Sequence, residues 1–175
     1  HLETIHAYTN DQNLIDNFHK KDRRGRAAAL NMVITSKGAA SAVSKALPAL
    51  EGKLTGSAIR VPTPNVSLAI LNLELETAVD AEGLNEFLRK VAADSPLSAQ
   101  IDYSVSPEVV SSDLVGSHHA GVVDSLATIA RDGNAVLYVW YDNEFGYSCQ
   151  VMRLLQEIAD VSPVLFPQAA EFPEG

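Results

Sequence analysis

The stretch Val66-Ser67-Leu68-Ala69-Ile70-Leu71-Asn72-Leu73-Glu74-Leu75-Glu76 reads as a β-strand. Successive side chains of a strand point to opposite faces. Ser67, Ala69, Leu71, Leu73 and Leu75 therefore share one face, and Val66, Leu68, Ile70, Asn72 and Glu74 the other. One end is expected to be buried on both sides and the other on one. Downstream, Leu84, Phe87, Leu88 and Val91 fall at i, i+3, i+4 and i+7, the spacing of an amphipathic helix, with Asp80 as its N-cap. Such a helix should lie on a sheet. Ala120–Asp124, Leu126–Ala130 and Ala135–Tyr141 read as further strands, the last two joined as a hairpin across Arg131-Asp132-Gly133-Asn134. Val151, Leu154, Leu155 and Ile158 repeat the helical spacing.

Upstream, Leu2–Tyr8 and Leu30–Ile34 read as strands, and Ala39–Leu47 as a helix opened by Ser36-Lys37-Gly38 and stopped before Pro48. Between the two strands lies a long polar stretch, Thr9 to Arg26. Loops beyond about 12 to 15 residues are uncommon in compact domains and are usually functional or disordered. Its complexity points to a folded, functional loop. The expected architecture is α+β: one mixed, largely antiparallel sheet with helices packed on one face. It spans residues 1–159, followed by a Pro-containing C-terminal tail over 160–175.

Composition narrows the function classes. The 175 residues, 46% of them apolar, suffice for one ordinary core. No apolar run approaches the roughly 18 residues of a membrane span, and no signal-peptide pattern opens the sequence, so the expectation is a cytoplasmic protein with no membrane partner. The net charge of -9 opposes a phosphate backbone over most of the surface, so no nucleic-acid partner is expected. A single cysteine, Cys149, forms no intrachain disulfide and no thiolate-rich metal site. His118-His119 suggests a metal site only weakly, because adjacent strand residues face opposite ways and no third ligand is evident. No metal is expected.

Six segments stand out together: His6-Ala7-Tyr8-Thr9, Arg23-Arg24-Gly25-Arg26-Ala27-Ala28, Gly38-Ala39-Ala40, Gly52-Lys53-Leu54-Thr55-Gly56, Arg60-Val61-Pro62-Thr63-Pro64-Asn65-Val66-Ser67 and Trp140-Tyr141-Asp142-Asn143-Glu144-Phe145-Gly146-Tyr147. In this order and at these spacings the sequence resembles the C-terminal catalytic domain of phosphorylating glyceraldehyde-3-phosphate dehydrogenases over roughly residues 2 to 159. The resemblance implies an oxidoreductase using NAD or NADP. It would convert glyceraldehyde 3-phosphate and inorganic phosphate to 1,3-bisphosphoglycerate through a cysteine thioester, in glycolysis or gluconeogenesis. It also implies a homotetramer and a Rossmann domain, but no GxGxxG occurs here and Cys149 falls too late to be the nucleophile. This chain alone is therefore expected to be inactive. Erythrose 4-phosphate oxidation and a non-enzymatic assembly module are the alternatives.

Site residues follow from the resemblance position by position. His6 would be the general base; on residue type alone it reads as a hydrogen-bonded structural histidine. Thr9 and Arg60 would hold the substrate phosphate, for which a guanidinium fork is well shaped, although an arginine alone is more often a surface or ion-paired residue. Asp11, in Asn10-Asp11-Gln12, occupies a second position of that site, usually a threonine. Lys37 and Gly38 stand where a Thr-Gly pair would meet inorganic phosphate at a helix N-terminus; a solvated lysine is the alternative. Asn143 would hold the nicotinamide carboxamide with Tyr147 beside the ring, and by type alone both are turn and core residues. The basic run His19 to Arg26 would lie against cofactor and neighbouring subunit.

Overall fold

The computed structural model describes residues 1–35 and 39–161. In chain order the strands are β1 (Leu2–Ala7), β2 (Val33–Thr35), β3 (Gly56–Val61), β4 (Ser67–Glu74), β5 (Ile101–Ser104), β6 (Gly121–Asp124), β7 (Ile129–Arg131) and β8 (Asn134–Tyr141). The helices are α1 (Ala39–Ala46), α2 (Ala81–Asp94) and α3 (Phe145–Ile158). The sheet runs β2-β3-β1-β4-β8-β6-β5, with β7 pairing β8 outside that path. Among the described residues only β1 with β3 and β5 with β6 are parallel, and every other pair is antiparallel. The α+β class and the mixed, largely antiparallel sheet are thus as read from the sequence.

β4 is central because its pattern suits two kinds of surroundings. In its first half Ser67 is buried and Leu68 to Leu71 are half-buried on both faces, whereas in its second half Leu73 is half-buried and Asn72 and Glu74 on the opposite face are exposed. It pairs with β8 over its whole length, from Ser67 opposite Tyr141 to Glu74 opposite Asn134. The β7–β8 hairpin closes on Asp132 and Gly133 with φ of 51° and 80°, the two left-handed residues of a type I′ turn. Helix α2 is capped as expected, the Asp80 carboxylate accepting the Gly83 N–H at 2.8 Å. It packs on β5 and β7 through half-buried Leu84, Leu88 and Val91. Phe87 departs from the expected stripe and is exposed.

Several boundaries differ from the sequence reading for identifiable reasons. Leu30 belongs to a turn, its N–H bonded to Ala27 O, so the strand expected from Leu30 begins only at Val33. The expected strand Leu126–Ala130 opens as a 3-10 turn over Ser125–Ala127, tied down by the Ser125 hydroxyl on Ser104 O, and β7 starts at Ile129. β3 and β5 carry too few consecutive apolar residues to declare themselves; neighbours on the sheet define them. In α3, Val151, Leu154, Leu155 and Ile158 form the spaced face but remain largely exposed. No helix among the described residues is long and apolar enough to cross a membrane.

The long stretch after β1 is folded. Asn17 and Gly25 close it through Asn17 N–H to Gly25 O at 2.9 Å, and Asn13 bonds across it to Arg24 and Ala28. A Cβ on Gly25 would collide with Asn17 O, so this closure requires glycine. Ala27 and Ala28, just beyond it, are buried, as are Ala7 of β1 and Val33 of β2.

Candidate active site

Parallel pairing brings the C-terminal ends of β1 and β3 to one edge of the sheet, and the antiparallel β4 and β8 deliver the start of one and the end of the other there. His6, Thr9, Arg60, Ser67, Tyr141 and Asn143 converge at that edge. His6 and Arg60 are direct cross-strand partners and therefore share a face.

The His6 Nδ1 lies 2.7 Å from Ala7 O. A carbonyl only accepts, so Nδ1 carries the proton and the Nε2 lone pair is left to take one. Burial pushes the His6 pKa down, the Ala7 carbonyl opposes this, and the Arg60 and Arg24 charges lower it further. The imidazole is consequently neutral at pH 7. Its ring meets the ring of Tyr141 edge-on, centroids 6.3 Å apart. Burial raises the Tyr141 phenol, while a hydrogen bond with Ser67 and the Arg60 charge pull the other way.

The Arg60 guanidinium donates to Thr9 Oγ1 at 2.6 Å, and more weakly to Ala7 O at 3.5 Å. Its Nε is buried without a hydrogen-bond partner among the described residues. A buried, unfilled N–H on a part-buried guanidinium is costly, and an anion oxygen suits it as an acceptor. Burial lowers the Arg60 pKa, as does the nearby Arg24. Asp11 is not turned to this fork. It forms an ion pair with Arg24, and His19 Nε2 lies 3.6 Å from its other oxygen. The bond from Arg24 holds the Asp11 carboxyl below the ordinary carboxylate range.

On the β8 side, Asp142 is almost fully buried and accepts four hydrogen bonds: Gly116 N–H at 2.8 Å, Asn65 Nδ2 at 3.0 Å, Glu144 N–H at 2.9 Å and Phe145 N–H at 2.8 Å. It thereby starts α3 and fixes the turn carrying Asn143. Val66, preceding Ser67, is held at φ 63°, an outlying conformation for a β-branched residue, with its N–H bonded to the Asn65 side chain. Asn143 Oδ1 accepts from Ser67 Oγ at 3.1 Å. Its Nδ2 has no hydrogen-bond partner among the described residues. Tyr147, one turn along, is 70% exposed.

The structure thus gathers His6, Thr9, Arg60 and Asn143, places Asp11 on Arg24, and leaves Tyr147 open to solvent at the start of α3. Lys37 and Gly38 lie outside the described residues. Cys149 is half-buried on α3 in a groove with Ala99, His118 and Met152, apart from His6. His118 and His119 are not strand residues; they precede β6, and their rings pack together with centroids 4.1 Å apart. No metal-binding group of three or more His, Cys, Asp or Glu occurs among the described residues. Ser67 and Asp142 were missed as site residues. A lone hydroxyl on an otherwise apolar strand face was the available signal for Ser67.

An α+β domain with a neutral histidine and a phosphate-shaped arginine at one sheet edge is the class defined by these features. The family model "Glyceraldehyde 3-phosphate dehydrogenase, C-terminal domain" matches residues 1–143. A "Glyceraldehyde-3-phosphate dehydrogenase-like protein" of Pseudomonas aeruginosa (strain UCBPP-PA14) is 67% identical over 168 residues, covering 96% of this chain and 36% of that protein. Glyceraldehyde-3-phosphate dehydrogenase of Priestia megaterium is 49% identical, and glyceraldehyde-3-phosphate dehydrogenase 2 of Bacillus subtilis 46%, each over 90% of this chain. The chain belongs to the glyceraldehyde-3-phosphate dehydrogenase family, as a C-terminal domain of that type. It spans 36% to 47% of the length of these relatives.

Proposed function

We propose that this chain is the catalytic domain of an enzyme that oxidises glyceraldehyde 3-phosphate with inorganic phosphate to 1,3-bisphosphoglycerate through a cysteine thioester. The observation that carries the reading is the pairing of His6 with Arg60 on one face, a free base beside a part-buried guanidinium whose buried Nε–H is unfilled. Neutral at pH 7, His6 offers Nε2 to the hydroxyl proton released as the aldehyde carbon is oxidised. Arg60 and Thr9 bind and orient the substrate's phosphate, and Arg24 adds positive charge, tempered by Asp11. Lys37 and Gly38 are assigned to inorganic phosphate by the resemblance alone.

A nicotinamide cofactor, NAD or NADP, fits the residues present: the Asn143 amide has its oxygen occupied and its nitrogen free, and Tyr147 stands exposed beside it. When bound, that cofactor accepts the hydride. The nucleophilic thiolate and the nucleotide-binding Rossmann fold are assigned to chain outside this sequence, and a homotetramer to the assembled protein. Erythrose 4-phosphate is the second substrate reading; Asn10-Asp11-Gln12 resembles the string of both the erythrose-4-phosphate and the photosynthetic-type branches.

Turnover of both aldehydes by the full-length protein, with and without His6→Asn, tests the proposal. Oxidation of glyceraldehyde 3-phosphate should exceed that of erythrose 4-phosphate. The substitution should cost about 10²- to 10⁴-fold in single-turnover NADH formation and, by removing the imidazolium that an adjacent thiolate would favour in the full-length protein, slow alkylation of the active thiol at pH 6. An unchanged thiol profile and a loss below about threefold would make His6 structural. Residues 1–175 alone should show no activity and negligible affinity for NAD, and micromolar NAD binding by calorimetry would contradict the latter.

A further inference from the structure

We propose that Ser67 is a positioning residue that fixes which end of the Asn143 amide faces the nicotinamide, and that one hydroxyl does this while also anchoring the strand end that carries His6. The inference deepens the dehydrogenase reading above and rests on it.

A serine hydroxyl has one proton to give and two lone pairs to offer. Ser67 is 1% exposed, so water does not complete its hydrogen bonding. The Ala7 N–H lies 3.1 Å from Oγ, and an amide N–H only donates, so Oγ accepts there. The Tyr141 phenol is hydrogen-bonded to the same hydroxyl and, kept protonated by burial, can donate to its second lone pair; the hydroxyl proton then goes to Asn143, 3.1 Å away, which presents its oxygen. The amide is thereby sorted: Oδ1 turns inward to Ser67 and the Nδ2 donors turn outward. An outward NH₂ recognises a carbonyl oxygen, which is what the carboxamide of a nicotinamide offers.

The neighbours of Ser67 hold the hydroxyl in place. Val66 carries a left-handed backbone that sets the entry of β4, and Asn65 ties that backbone to Asp142. Asp142 in turn holds the N–H groups of Glu144 and Phe145, so the turn bearing Asn143 cannot drift from β4. On the other side Ala7 is bound at both ends. Its N–H donates to Ser67 Oγ and its carbonyl accepts from the His6 Nδ1–H. The base and the amide are therefore aligned from a single oxygen atom.

The test uses the full-length protein and a double-mutant cycle with Ser67→Ala and Asn143→Ala. Ser67→Ala should reduce kcat/KM for NAD about tenfold, leave the KM of the aldehyde within about twofold, and leave the Kd of ADP-ribose, which lacks the nicotinamide, unchanged. In the Asn143→Ala background the same change should cost less than about twofold more, because the group it orients is gone. Ser67→Cys, of nearly native size but a poor donor, should reproduce the loss and carries the cycle if the alanine variant folds poorly. Additive losses, or a parallel loss of ADP-ribose affinity, would overturn the positioning role while leaving the dehydrogenase reading intact. An unaltered full-length protein that neither reduces NAD nor binds it would overturn both.

Discussion

His6 and Arg60 stand directly opposite each other in the parallel β1–β3 pair, so the base and the guanidinium share a face and a field. Arg60→Leu removes a charge that lowers the His6 pKa and a donor suited to phosphate. The substitution should raise the lower pKa of the kcat/KM profile of the full-length enzyme. It should also reduce use of the phosphorylated aldehyde about ten- to a hundredfold more than use of an unphosphorylated one. Equal losses on both substrates would make Arg60 structural.

Asp11 neutralises Arg24 rather than binding through its own carboxylate. Asp11→Asn releases one positive charge near Arg60. KM for the phosphorylated aldehyde should fall about two- to fivefold at low salt, and the difference should shrink above about 0.5 M salt as the field is screened. A rise in KM at both ionic strengths would show instead that the carboxylate contributes by holding the loop.

Asp142 organises four donors from three parts of the chain. Asp142→Ala leaves four partly buried donors without their shared acceptor, which should destabilise the domain by about 2 kcal/mol in urea denaturation at pH 7. The burial of the Asp142 carboxylate raises its pKa, but the four donors outweigh that and the net shift is downward. Its stabilising contribution is therefore fully present above the ordinary value near 3.8 and is lost as pH falls below it toward the depressed folded value. The alanine variant should lack that acid-side decline.

Gly133 completes the β7–β8 turn at φ 80°. Gly133→Val forces a β-branched residue into the left-handed region and should cost about 1 to 2 kcal/mol, seen as a lower thermal midpoint with kcat unchanged. Gly133→Asn, which tolerates this conformation, should recover most of the loss.

Features set by local chemistry were legible in the amino-acid order. The two-faced pattern of β4, the Asp80 cap of α2 and the Asp132-Gly133 turn each depend on residues within a few positions of one another. The string from Trp140 to Tyr147 marked the family for the same reason. β3 and β5 stayed hidden, because Gly56, Ser57, Arg60 and Asp102 dilute their apolar character and their identity comes from the strands beside them. The exposed apolar spacing of α3 likewise announced a helix without saying what it would touch. The candidate site divides in the same way. His6, Arg60 and Asn143 could be named from motifs, but the register that sets His6 against Arg60, and the meeting of Asn65 with Asp142 across 77 positions, arise only when β1, β3, β4 and β8 align. Hydrogen bonds at that separation have no periodic signature, since they depend on where the sheet brings the strand ends together.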